Sequence, residues 1–339
     1  MADRFLALSA GDRRDALEAA ATASGRPAYL LEKDVWVVWA LDVLFAQPFG
    51  EHLVFKGGTS LSKAHGDLIQ RFSEDIDLTY DIRQLIAGPE FHASEPLPAS
   101  RSQEKKWTSA VRKALPVWIQ AHVVPALQHA IETSGVPLTV YASSDKVELH
   151  YQPVTAARDY VRPVVLLEFG ARSSGEPAQR FNVICDASAQ LGLEFPQACP
   201  RVMRAERTFW EKATAAHVYC HQDRTPGRFA RHWHDIAKLD ERGFVDAALA
   251  EPRLAEQVAA HKQMFFECRS VDGGIIQYAD AVRGGLRIVP WSEGRNHLAA
   301  DYRSMIDEGL LGGAPVTFEE LMEQCGRIEA KVNRTLAAT

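Results

Sequence analysis

Apolar residues recur at helical spacing over 12–24 and again over 29–45, where Trp36, Trp39, Ala40, Val43 and Leu44 trace one side of a helix. Glu32, Lys33 and Asp34 are expected to open that second helix, where acids suit the positive end of its dipole. "HLVFK" reads as a short strand, broken by Gly57-Gly58. Thr59 or Ser60 then caps a helix expected to run to about Arg71. "DIDLTY" alternates polar and apolar, the period of a strand. Residues 84–103 carry Pro89, Pro96 and Pro98 among small polar residues and read as a long mobile loop. A helical stretch over 103–133 should kink near Pro116 or Pro125. Strands are expected at "LTVYAS", "VELHYQP", "RPVVLLEFGAR" and "RFNVICD". Beyond Pro200 the pattern predicts helices alone, over 205–220, 229–241, 254–269, 297–309 and 318–336.

Strands mixed with helices first, and helices alone afterwards, indicate an α+β domain over 1–200 followed by a helical domain over 201–339. The 339 residues are 46% hydrophobic and 24% charged, ordinary globular usage that predicts a sizeable core. The formal net charge of −6 means that a nucleic-acid partner must meet a local basic patch. Five scattered cysteines form no CxxC, which predicts reduced thiols and argues against a zinc site. The first residues lack the layout of a signal peptide. The run "VWVVWALDVLF" is too short to span a membrane and is interrupted by Asp42. These features predict a cytoplasmic protein with no membrane partner.

The candidate chemistry lies in "FKGGTSLSKAHGDLIQRFSEDIDLTY". An ATPase phosphate loop is excluded, because the glycines are adjacent and Lys63 is followed by Ala64. A Gly-Gly turn still lets backbone N–H groups approach an anion, and a helix starting there adds its positive end. Thr59 and Ser60 offer hydroxyl donors. Asp75 and Asp77, two apart on a strand, project from one face, with Ser73 in the same parity if the strand reaches that far. Two such carboxylates resist joint ionisation without a cation between them. Mg²⁺ is held by one or two carboxylates plus substrate phosphates, which is what nucleotidyl transfer needs. Either motif alone is more often a plain turn or an acidic strand edge.

Taken together, "KGGTSLSK" and "RFSEDIDL" resemble the polymerase β-like nucleotidyltransferases, and within them the AbiEii/AbiGii toxins of type IV toxin–antitoxin systems, which include the MenT toxins. "LEKDVWVVWALDVLF", "ERTFWEKATAAH", "RHWHDIAKL" and the C-terminal "LAADYRSMI" and "TFEELMEQCGRIEAKVN" resemble the same branch. The resemblance implies a polymerase β-like core of a small mixed sheet with flanking helices, followed by a helical domain. It implies that Lys56, Gly57, Gly58, Thr59, Ser60 and Ser73 bind nucleotide, and that Asp75 and Asp77 hold Mg²⁺ or Mn²⁺. Lys212 matches a helix lysine expected to neutralise the triphosphate, and Asp235 the last acidic position. Where the family usually has Arg-Asp before its last acid, this chain has Arg231-His232-Trp233-His234-Asp235, and a second acid is absent. A third metal carboxylate is expected at Glu168, with Asp186 as its rival; a plain ion pair with Arg172 or Arg180 is the alternative for Glu168.

Arg201, Arg204, Arg207, Lys212, Arg224, Arg228 and Arg231, interleaved with Phe209, Trp210, Phe229 and Trp233, form a basic run that could meet an RNA backbone. A solvated helix face has the same spacing. The expected partners are an NTP, an RNA acceptor (tRNA 3′ ends) and a cognate antitoxin. Transfer to a protein or small molecule, or a nucleotide-binding module without turnover, are the competing readings.

Overall fold

The computed structural model describes residues 4–73, 75–86, 88, 96–156, 162–190, 192–224 and 227–337. They group into two compact units. Met1–Ala64, Glu74–Pro96 and Trp107–Met203 make the first; His65–Ser73, Leu97–Lys106 and Arg204–Thr339 make the second. Among the described residues no helix is long and apolar enough to cross a membrane.

In the first unit, α1 (Ala10–Ser24) is capped by Ser9, whose hydroxyl accepts from the Asp12 N–H, and it stops at the left-handed Gly25. The second helix, α2 (Ala28–Phe45), starts directly behind Pro27, so Glu32 and Asp34 fall past its first turn. They do not serve the helix dipole as expected. Glu32 is buried and instead accepts from the backbone N–H groups of Val154 (2.8 Å) and Thr155 (3.1 Å), which offsets the cost of burying its charge. The chain continues through β1 (Leu53–Lys56), α3 (Gly57–Ala64), β2 (Ile76–Tyr80), α4 (Ile82–Leu85), α5 (Arg101–Trp118) and α6 (Val124–Ser134). Within the loop expected over 84–103, residues 87 and 89–95 lie outside the described residues, while α4 runs on to Leu85 and α5 already begins at Arg101. The expected kink is a π-helical turn, Ile119–Val123, between Pro116 inside α5 and Pro125 in the first turn of α6.

The remaining strands are β3 (Leu138–Ser143), β4 (Lys146–Tyr151), β5 (Val164–Gly170), β6 (Ala178–Arg180), β7 (Val183–Ile184), β8 (Gln197–Ala198) and β9 (Arg201–Met203). Seven of them form one mixed sheet in the order β3-β4-β5-β2-β1-β9-β6. The β2/β5 and β1/β9 pairs are parallel and the others antiparallel. Phe55, Ile76, Leu78, Leu149, Leu167 and Val202 from its central strands are buried and form the core of this unit. The expected strand at "RFNVICD" contracts to β7, which pairs only with β8.

The second unit is built on α7 (Ala205–Gln222), α8 (Ala230–Glu241), α9 (Phe244–Leu249), α10 (Pro252–Phe265), α11 (Tyr278–Ala281), α12 (Ser292–Asp307) and α13 (Phe318–Ala337). The five long helices match the apolar periodicity. In α13, for example, Leu321, Cys325, Ile328 and Val332 recur every three or four positions and are all buried. The short α9 and α11 were not expected, since neither is long enough to display a helical period. The segment 65–73 joins this unit by backbone pairing: Phe72 N–H donates to Leu310 C=O (2.7 Å) and Gly312 N–H to Gln70 C=O (2.8 Å).

Candidate active site

In the first unit the site is assembled by the passage from β1 through α3 to β2. Strand β1 ends at Lys56 and α3 opens at Gly57 with φ +81°, a conformation that a side chain disfavours. A Cβ on residue 57 would lie 2.2 Å from Asp77 Oδ2. The Asp77 carboxylate therefore packs on the bare backbone of the turn, and the two sequence motifs meet in space. The helix is shorter than expected. It ends at Ala64 because Gly66, Asp67 and Gln70 take left-handed φ values of 62°, 57° and 45°.

Thr59 and Ser60 are buried. Thr59 Oγ1 donates to Asp75 C=O (2.6 Å) and Ser60 Oγ to Gly57 C=O (2.9 Å), so both hydroxyls brace the turn from inside. The backbone N–H groups of the first turn of α3 are the donors such a helix start leaves for an anion. Asp75 lies one position before β2 and Asp77 within it. Ser73 is outside the strand, so the alternation that aligned it with the two aspartates does not extend to it.

The register of the sheet places the charges in a row. Lys146 of β4 is opposite Glu168 of β5, Glu168 is opposite Asp77 of β2, and Asp77 is opposite Lys56 of β1. Directly paired residues share a face, so two carboxylates stand side by side between two lysines. Arg180 is paired with Glu51, while Glu168 forms an ion pair with Lys146. That pair, with Asp145 and Asp75 adding to the field, pushes the Lys146 ammonium above its usual range.

Half-buried, oxygen-only donors at Asp75 and Asp77 suit Mg²⁺ or Mn²⁺, which take one or two carboxylates and complete their shell with water and phosphate. Among the described residues no group of three His, Cys, Asp or Glu side chains is placed to enclose a metal unaided. Asp186 belongs elsewhere. It accepts from Lys63 Nζ (2.7 Å) and is paired with Arg26, while Lys63 also donates to Asp34 (2.5 Å) and the Asp186 N–H to Asp34 (2.7 Å). This partly buried cluster fastens α3 to α2. The sequence hinted at it only through Lys63, whose position in a failed phosphate-loop pattern drew attention away from structural pairing.

The second unit holds a different arrangement. Lys212 on α7 and Asp235 on α8 are both buried and form an ion pair at 2.9 Å. Arg71 grips the same carboxylate with two parallel bonds, Nε to Oδ1 and Nη2 to Oδ2, each 2.7 Å. Burial would raise the Asp235 carboxyl, but Arg71 and Lys212 beside it hold it far below the usual range. Burial pulls the Lys212 ammonium below its usual value; Asp235 opposes this and Arg71 adds to it. Arg71 was missed in the sequence. The available signal was an arginine between Ile69 and Phe72, facing an aspartate on the apolar side of a helix, each needing the other if buried. His232 has a buried Nδ1 with no hydrogen-bond partner, and burial together with Lys212 holds its imidazole neutral.

The basic run is largely engaged. Arg201 is paired with Glu176, Arg204 with Glu251 and Glu206, and Arg207 with Glu211. Arg224, Arg228 and Arg231 are exposed.

A glycine turn packed on an Asp-x-Asp strand head within a mixed sheet is the apparatus of a nucleotidyltransferase, and this chain is one. Residues 39–324 match the family model described as Nucleotidyl transferase AbiEii toxin, Type IV TA system, and the chain belongs to that family of toxins. Among solved structures it is similar to "MenT4, nucleotidyltransferase toxin Rv2826c from Mycobacterium tuberculosis H37Rv", with 17% identity over 98% of this chain and 99% of that one. The TM-score is 0.38, too loose a likeness to argue from. No curated protein matches the chain.

Proposed function

We propose that this toxin transfers a nucleoside monophosphate from an NTP to RNA, at the 3′ end of tRNA, and is restrained by a cognate antitoxin in the cytoplasm. The observation that carries the reading is the seating of the Asp77 carboxylate on the Gly57 turn, which sets a phosphate cradle beside paired carboxylates. The backbone N–H groups at Gly57-Gly58, with Lys56 beside them, bind the triphosphate. Asp75 and Asp77, with Glu168 alongside, would hold Mg²⁺ or Mn²⁺, which would supply Lewis-acid polarisation of the phosphoryl oxygens. The RNA 3′-hydroxyl attacks the α-phosphorus and the bond to the bridging oxygen of the β-phosphate breaks. One carboxylate of the aspartate pair takes the hydroxyl proton. Lys212 carries positive charge for the departing pyrophosphate, and Asp235 orients it.

A second reading, transfer to a protein or small molecule, draws on one observation: much of the basic run is already neutralised internally. Incubation with each α-labelled NTP, Mg²⁺ and total tRNA separates the two. Label on tRNA, lost in Asp75→Ala and suppressed by the co-expressed antitoxin, is the expected result. Label on protein supports the second reading, and NTP binding with no label on any acceptor would leave a binding module.

A further inference from the structure

Asp235 has no exposed surface, and it is shared. Both of its oxygens accept from Arg71, and one of them also meets Lys212 Nζ. Arg71 is itself buried and held from behind, with Nη1 donating to Phe72 C=O (3.1 Å). Its segment is pinned to the same turn of α8, where the His234 ring bonds Ile69 C=O through Nε2 at 2.7 Å. Backbone pairing with 310–312 fixes it on another side. A carboxylate held by one lysine alone can swing about that contact. A carboxylate clamped by a planar guanidinium cannot, because the two parallel bonds fix its plane as well as its position.

We propose that Arg71 is a positioning residue for Lys212: by clamping Asp235 in one orientation, it fixes where the Lys212 ammonium presents its charge to the substrate triphosphate. The inference rests on the reading of Lys212 given above. Arg71 does this from a fold element far from Lys212 in sequence, and does not itself touch substrate. It also acts on the Lys212 proton. Among the described residues, the main charged and titratable groups acting on Lys212 are Asp235, Arg231 and His232 of α8, and Arg71; of these, Asp235 favours the protonated form. Removing the Arg71 cation leaves Asp235 to Lys212 alone, so the lysine should hold its proton to higher pH.

The test is steady-state NTP turnover by the full chain, for Lys212→Met, Arg71→Met, Arg71→Lys, Asp235→Asn and Arg71→Met/Asp235→Asn, each below its own melting temperature. Lys212→Met should abolish turnover. Arg71→Met should lower kcat by about 10²-fold, the order that a misplacement of about 1 Å costs. The alkaline limb of its kcat–pH profile should move to higher pH, which a merely structural role would not cause. Arg71→Lys, which keeps the charge but loses the fork, should recover only part of the rate. It also decides the matter if Arg71→Met does not fold. The double variant should be no slower than Asp235→Asn alone, since both changes act through one carboxylate. Wild-type kcat in Arg71→Met, an alkaline limb that stays in place, or losses that multiply in the double variant would each overturn the inference. Turnover by Lys212→Met at the wild-type rate would overturn the reading of Lys212, and this inference with it.

Discussion

The charges on the sheet and the charges among the helices obey opposite rules. On the sheet, Lys146, Glu168, Asp77 and Lys56 stand in one row with partial solvent access, and the two acids lie next to each other. Among the helices, Arg71, Asp235 and Lys212 are buried and bonded to one another. The first set leaves two like charges adjacent, with lysines on either side, an arrangement that a cation between the acids would further relieve. The second sets one acid between two bases and keeps a geometry. If the row receives ligands as proposed, substitution there should spare stability and abolish activity. A buried triad should fail in both.

The largest effect is expected on activity. Asp75→Asn or Asp77→Asn should lower nucleotidyl transfer by at least about 10²–10³-fold, the cost of losing one group that stabilises developing charge. The urea midpoint should stay close to wild type. A large drop in that midpoint would break the contrast. Next comes Asp235→Ala, which strands two buried cations and should destabilise the protein by about 3–5 kcal/mol in denaturant unfolding.

Acidification should also tell the regions apart. His217 on α7 is held neutral by burial, by His221 and by Arg287, with its pKa lowered to about 3. Its Nδ1 accepts from the Arg287 N–H (3.1 Å), so a proton there would set two donors face to face. The unfolded chain takes that proton near pH 6.5. This contribution to stability is thus complete above about pH 6.5 and declines as pH falls toward 3, by about 1.4 kcal/mol per pH unit for each such histidine. His232 and His234 are shifted in the same direction. Asp34 in the first unit, raised mainly by burial, acts with the opposite sign. Unfolding midpoints from pH 8 to 4 measure the sum, and Arg287 hydrogen exchange should report the helical unit loosening first. The smallest effect belongs to Lys146→Met. Its ion pair with Glu168 is exposed, so the unfolding free energy should change by about 0–1 kcal/mol.

Much of this was legible in the sequence where period and length agreed. The long helices and the strands at β2, β3, β4 and β5 each repeat their pattern often enough to declare a period. Strand β9, three residues directly after Pro200, does not, although it completes the sheet beside β1. The run after Gly58 looked helical to Arg71 because its apolar spacing continued. Three left-handed residues ended the helix instead, and only Gly66 advertised that in advance. In the site, the glycine pair and the aspartates announced themselves by chemistry that is costly to keep without use. Arg71 did not, because its meaning depends on a carboxylate more than a hundred residues away. Glu168 was legible as a charge in an apolar strand, but its partner Lys146 became visible only through register.

Seating Asp77 on the Gly57 turn makes the two positions a lock in which neither half can change alone. Gly57→Ala should displace the carboxylate and inactivate the toxin, although its backbone strain costs only about 1–2 kcal/mol. Cells selected for escape from toxicity would then find residue 57 an easy target, and the product would be folded, soluble and harmless. A single methyl group would thus turn the poison into an inert protein of the same fold.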